Sequence, residues 1–148
     1  MTGEMNLGKL LAEMAPTLQD GRFVFVTLEN GRYGDHPHLS PIASFSEPEG
    51  LTLVIPQTTA DQASLIYDAT FSCITLLVHS SLEAVGLTAA VAAKLTEHGI
   101  SANVIAAYYH DHVFVPADKT ETALAALQKL ATMTDLGTPV MSSQDSLF

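Results

Sequence analysis

Phe71-Ser72-Cys73-Ile74-Thr75-Leu76-Leu77-Val78 is a β-rich apolar run that gives way to the polar, glycine-ended stretch His79-Ser80-Ser81-Leu82-Glu83-Ala84-Val85-Gly86. A helical period comes next. Leu87, Val91 and Leu95 recur every fourth residue and so fall on one helix face. Gly99 stands where such a helix stops, since glycine enters the left-handed conformation beyond a last turn at least cost. Val104 to Tyr109 and Val113 to Val115 read as two further strands, separated by His110-Asp111-His112. Pro116 breaks the second, and Asp118 with Glu121 makes a capping-box pattern ahead of Ala123, Leu124, Leu127, Leu130 and Ala131. Strand, helix, strand, strand, helix in that order predicts two helices over one face of a small antiparallel sheet. That is a ferredoxin-like plan.

Towards the N-terminus the same elements recur in weaker form. Leu7, Leu10, Leu11 and Met14 make a helical stripe that stops before Pro16, and Phe23 to Leu28 reads as the first strand. The stretch Glu29-Asn30-Gly31-Arg32-Tyr33-Gly34-Asp35-His36-Pro37-His38 is rich in turn formers. Ile42 to Ser46, the Pro48-Glu49-Gly50 turn and Leu51 to Ile55 predict a hairpin, and Ala60 to Tyr67 a short helix. The helix expected between the first two strands is therefore missing or reduced, and the helix before the first strand is expected to fill its place. The boundary between the halves falls near Asp68 to Ser72, with the strand from Phe71 shared by both.

Two longer stretches carry a family resemblance. Val78-His79-Ser80-Ser81-Leu82-Glu83-Ala84-Val85-Gly86-Leu87-Thr88 and Tyr109-His110-Asp111-His112-Val113-Phe114-Val115-Pro116 resemble a family of short bacterial proteins made of two ACT domains. Glu49-Gly50-Leu51-Thr52-Leu53-Val54 fits that family too, and the resemblance runs from about Leu7 to Ala131. It implies an α+β fold of two tandem βαββαβ units, antiparallel sheets with helices on one face, the first unit degenerate. The expected division is residues 1–69, residues 70–133, and a tail over residues 134–148 in which Thr138 to Met141 could add an edge strand. The family implies a ligand class, free amino acids, and no reaction.

Composition narrows the function. Hydrophobic residues make up 47% of the 148 and charged ones 15%, as in a folded globular protein with apolar surface to spare for a homo-oligomeric, dimeric interface. A formal net charge of -10 with only six Lys and Arg argues against nucleic acid and against anionic lipid. No apolar run has the roughly 20 residues of a membrane helix. The opening Met1-Thr2-Gly3-Glu4-Met5 has no basic region, and the single Cys73 fits a reducing, cytoplasmic setting. Cys73 reads as a small buried hydrophobe, for no sequence neighbour would lower its pKa.

The candidate ligand residues are those of the strand-to-helix turn. In an ACT-like unit, backbone N–H groups at the start of the helix would meet a ligand carboxylate. Gly86 would admit the ligand to the backbone, and Glu83 would pair with an ammonium. Ser80, Ser81 and Thr88 would add hydroxyls, while Leu82, Ala84, Val85 and Leu87 complete the turn. The plainer alternative has Ser81 or Glu83 capping the helix while Leu82, Val85 and Leu87 pack in the core. Asn103 and Ile105 share one face of the next strand, where Asn103 either satisfies backbone groups or reads the ligand's polar end. His110 and His112, with His36 and His38, offer a weak metal-binding pattern; hairpin turns are the simpler use. Glu47 and Glu49 read as a solvated turn. No phosphate loop, nucleophile elbow, HExxH or CxxC is present.

The sequence thus predicts a non-enzymatic sensor without cofactor or metal, binding a free amino acid at the seam of two ACT-like domains. Two rivals remain: an interaction module with a vestigial site, and a His-dependent metal hydrolase.

Overall fold

The computed structural model describes residues 3–135. The edge strand expected at Thr138 to Met141 lies outside the described residues. The elements in chain order are α1 (Leu7–Ala12), β1 (Pro16–Leu18), β2 (Phe23–Leu28), β3 (Ala43–Glu47), β4 (Gly50–Pro56), α2 (Gln57–Gln62), β5 (Phe71–Leu76), α3 (Leu87–Glu97), β6 (Asn103–Ala106), β7 (Asp111–Pro116) and α4 (Thr120–Asp135). They form two compact units. One holds Asp20–Cys73; the other joins the residues up to Gln19 with those from Ile74 onward. The fold is α+β, with antiparallel strand pairs and helices over the sheet.

In the larger unit β5 lies between β1 and β7, and β6 flanks β7. β1 pairs antiparallel with the end of β5, Pro16 opposite Leu76 and Leu18 opposite Ile74. Alternation along the strands sends Ile74, Leu76, Val113 and Val115 to one face. Three helices cover it: α1 brings Leu10 and Leu11, α3 brings Leu87, Val91 and Leu95, and α4 brings Ala123, Ala126 and Leu127. The four-residue spacing of Leu87, Val91 and Leu95 is therefore the buried stripe of α3, and each is at most 3% exposed. α3 ends as expected. Gly99 takes a φ of 67°, and the N–H groups of Gly99 and Ile100 return to the carbonyls of Thr96 and Leu95.

α4 departs from the capping-box pattern. A 3-10 turn over Ala117–Lys119 comes first, and Thr120 donates its hydroxyl to the carbonyl of Ala117 at 2.7 Å. Asp118 thus lies inside the 3-10 turn, and Glu121 in the first turn of the helix.

α1 carries a larger correction. It does not fill the place of the missing helix of the first half. Leu10, Leu11 and Met14, none of them measurably exposed, sink into the core of the larger unit beside α3 and α4. β1, which the sequence hid behind Pro16, continues that attachment. Proline is tolerated there because it opens the strand, where a missing N–H costs least.

The smaller unit has the order β3, β4, β2, with Phe23 of β2 opposite Phe71 of β5. β2 and β4 pair in register from Phe23–Pro56 to Leu28–Leu51. The hairpin from β3 to β4 turns through Pro48-Glu49, and Gly50 at φ 151° lies where a Cβ would meet the Leu28 carbonyl oxygen at 2.8 Å. Between β2 and β3 a single 3-10 turn, Pro37–Leu39, replaces the missing helix, and Leu39 closes a core of Val24, Val26, Leu51, Leu53 and Ile55. α2 starts three residues before the predicted helix and ends five residues before its predicted end. Tyr67 folds back on it, accepting from Gln57 and donating to Asp61.

If α1 belongs to the larger core, Leu11→Ala should cost about 2–5 kcal/mol, the usual range for a large-to-small change at a fully buried site. Residue-resolved hydrogen exchange should show the loss in the amides of α3 and α4, with the β2–β4 ladder much less affected.

Candidate functional site

β5 ends at Leu76, and the chain from Leu77 to Gly86 carries it over to α3. Leu77 donates to the carbonyl of Met14, and Val78 is buried in the core. Ser81 organises the turn: its carbonyl accepts from the N–H of Ala84 at 3.0 Å, and its hydroxyl accepts from that of Glu83 at 3.1 Å. Ser80 is buried and donates its hydroxyl to the Ser81 carbonyl. Leu87 enters the core and Ala84 packs at its rim. Leu82 and Val85, by contrast, are 65% and 81% exposed, so the plainer expectation that they pack inside does not hold. Glu83 and Thr88 are also exposed.

Gly86 takes a φ of 104° and stands just before α3, and no side chain caps the helix. The first helical bond is from Ala90 N–H to the Gly86 carbonyl at 2.9 Å. The N–H groups of Leu87, Thr88 and Ala89 therefore have no acceptor among the described residues. An eleven-residue helix adds the positive end of its dipole at the same point. The arrangement suits a carboxylate.

One neighbour of the turn left no mark in the sequence pattern. Glu4 forms a parallel bridge with Ser80. Its N–H donates to the His79 carbonyl at 2.8 Å, and its carbonyl accepts from the Ser81 N–H at 3.0 Å. A Cβ on Gly3 would lie 2.5 Å from Ser81 N, and one on Gly86 would lie 3.0 Å from Leu7 Cδ2. The Glu4 carboxylate accepts from the N–H groups of Asn6 and Met5 and pairs with Lys9 at 3.4 Å, and these hold its pKa below the ordinary carboxylate range.

The structure does not bring Asn103 and Ile105 to this turn. They lie opposite Phe114 and His112, on the sheet face turned away from the one where Val113 and Val115 meet α3. Asn103 is exposed, with its amide 3.5 Å from the Phe114 carbonyl oxygen. What does reach the turn is the tip between β6 and β7. The rings of Tyr109 and Tyr108 sit 5.1 and 6.4 Å from His79. The sequence placed both tyrosines in a strand, whereas the strand ends at Ala106.

The two histidines of the β7 turn have separate partners. His110 Nδ1 is 3.4 Å from the Val78 carbonyl oxygen, and His112 Nδ1 is 2.9 Å from Thr75 Oγ1, which also accepts from Gln19. Among the described residues no three of His, Cys, Asp and Glu come together as a metal site. Cys73 is buried. Glu47 and Glu49 are exposed, with Thr52 donating to Glu47. Among the described residues no helix is long and apolar enough to cross a membrane.

Two family models, each of an ACT domain, match the chain, one over residues 2–72 and one over residues 68–129. The chain belongs to the ACT-domain family. Its two ACT domains stand in tandem. A solved Vibrio cholerae protein of unknown function, described as a possible transport protein, is 58% identical, with a TM-score of 0.77 over 84% of this chain and 95% of that one. The regulatory subunit of aspartate kinase from Thermus flavus is 9% identical, with a TM-score of 0.59 over 88% and 99%. Aspartate kinase from Clostridium acetobutylicum is 14% identical, with a TM-score of 0.60 over 86% of this chain and 36% of the enzyme. These last two likenesses carry the fold alone. No curated protein matches the sequence.

Burial lowers the pKa of His112 from its ordinary 6.5, assisted by the charge of His110 and opposed by Asp111. A lowered folded pKa favours the neutral ring in the folded domain. Its contribution is therefore full above about pH 6.5 and is lost as pH falls through the folded value. Asp111 acts oppositely: burial raises its pKa above 3.8, so its cost is relieved as pH falls through that raised value to about 3.8. Denaturant titrations should show stability falling below pH 6.5, with a shallower fall in His112→Gln.

Proposed function

We propose that this pair of ACT domains is a non-catalytic regulatory sensor that binds a free amino acid at the turn of its C-terminal domain. The observation that carries this reading is the uncapped start of α3, with the N–H groups of Leu87, Thr88 and Ala89 directed past a left-handed Gly86. An amino-acid carboxylate satisfies those donors and the helix dipole together. Glu83, exposed and without an ion-pair partner among the described residues, supplies the charge for the ammonium. The fold shared with regulatory parts of aspartate kinases agrees with a regulatory role.

Binding strengths from about 1 mM to 1 μM correspond to about -4 to -8 kcal/mol. A few charge-assisted hydrogen bonds, at about 1.5–3 kcal/mol each, reach that range. The signal then passes by population shift, because ligand contacts made in only one arrangement of the protein favour that arrangement. Output runs through a protein partner or through homo-oligomer assembly.

Thermal unfolding with each of the twenty amino acids at about 5 mM tests the reading. A ligand at 100 times its dissociation constant stabilises by about 2.7 kcal/mol and raises Tm by a few degrees. Thr88→Pro removes one of the three N–H donors while leaving a first-turn position that tolerates proline. It should weaken the hit about tenfold, as should Glu83→Gln. A panel with no shift would contradict the proposal.

A further inference from the structure

The turn that an amino acid would approach is already covered from within the chain. Gly3 lies so close that a Cβ there would stand 2.5 Å from Ser81 N and 2.6 Å from Ser80 C. Glu4 takes the Ser81 N–H as acceptor and gives its own to the His79 carbonyl. Leu7 lies on the side of Gly86 where any other residue would carry its Cβ. The segment therefore occupies one backbone donor of the turn and the open side of the glycine before α3.

We propose that Gly3 to Leu7 is a displaceable strap that competes with the amino acid for this turn; the inference rests on the sensor reading above. The strap grips more lightly than the helix it leads into. Met5 and Asn6 are exposed, Leu7 is only half-buried, and the Glu4–Lys9 ion pair lies at the surface, where such pairs hold weakly. Three residues further on, Leu10 and Leu11 are fully buried. The strap can lift by local opening while α1 stays anchored, since segments with few buried contacts open far more readily than the core. Displacement frees Ser81 N–H and the face of Gly86 for the ligand. It also exposes the His79 carbonyl and the Glu4 edge, so ligand binding becomes a change in the protein's own surface.

Gly3→Ala in the full chain is the test. Gly3 has no left-handed backbone to strain, so the methyl group acts only by its collision with Ser80 and Ser81. Affinity is measured calorimetrically for the amino acids of the panel in parent and variant, and hydrogen exchange is followed at the Glu4 amide of the parent. The strap predicts binding at least fivefold tighter in Gly3→Ala, and faster exchange at the Glu4 amide, which loses the His79 carbonyl, when the amino acid is added to the parent. A Leu7→Ala variant should shift affinity the same way. Equal or weaker binding by Gly3→Ala, or unchanged or slower exchange at the Glu4 amide, overturns the strap and leaves the sensor standing. Binding of no amino acid by either chain overturns the sensor reading and the strap with it.

Discussion

Burial of Leu10, Leu11 and Met14 is the constraint on which the larger unit depends. These three side chains have no apolar face of their own segment to meet. They are covered by α3, α4 and the inner face of β5 and β7, all of which bring their core residues from position 74 onward. Seating them requires closure of a long loop, an entropic cost that rises only slowly with length. Against it stand three large side chains fully withdrawn from water, each contributing about 1.5–3 kcal/mol. β1 depends on the same attachment. Once α1 is seated, Pro16 to Leu18 falls beside the end of β5, and the Leu77 N–H finds the Met14 carbonyl.

The position of the candidate site results from this anchoring. With α1 fixed, the residues just before it pass over the turn that β5 sends into α3. A short helix capped by Asn6 and a bend held by the Glu4 carboxylate bring Gly3 and Glu4 against Ser80 and Ser81. The turn is consequently both tied by hydrogen bonds and partly used. Ser81 settles its backbone, Gly86 sets the left-handed step, and the helix start remains uncapped. A fully capped helix would leave nothing for a ligand to bind. A bare one would leave polar groups to water alone.

Where one element decides the outcome, the sequence was legible. Leu87, Val91 and Leu95 announce a helix face, Gly99 its end, and Gly50 a hairpin whose backbone comes too near Leu28 for a side chain. Long motifs around the turn and at β7 carried the ACT resemblance. What periodicity cannot supply is the identity of the surface that an apolar stripe meets. The stripe Leu7, Leu10, Leu11, Met14 announced a helix correctly and was still assigned to the wrong core. Asn103 and Ile105 were seen to share a face, but which face depends on the pairing with Phe114 and His112. The contact of Gly3 and Glu4 with the turn is mostly backbone, so no side-chain pattern marks it.

The sensor reading stands or falls on an amino acid sitting on the first-turn amides of α3, and amide chemical shifts report that contact residue by residue. A titration of the labelled protein with the amino acid that stabilises it most should move the Leu87, Thr88 and Ala89 amides first and farthest, downfield as they gain a carboxylate acceptor. Saturating shifts elsewhere, with these three amides unmoved, would rule out a site at the start of α3.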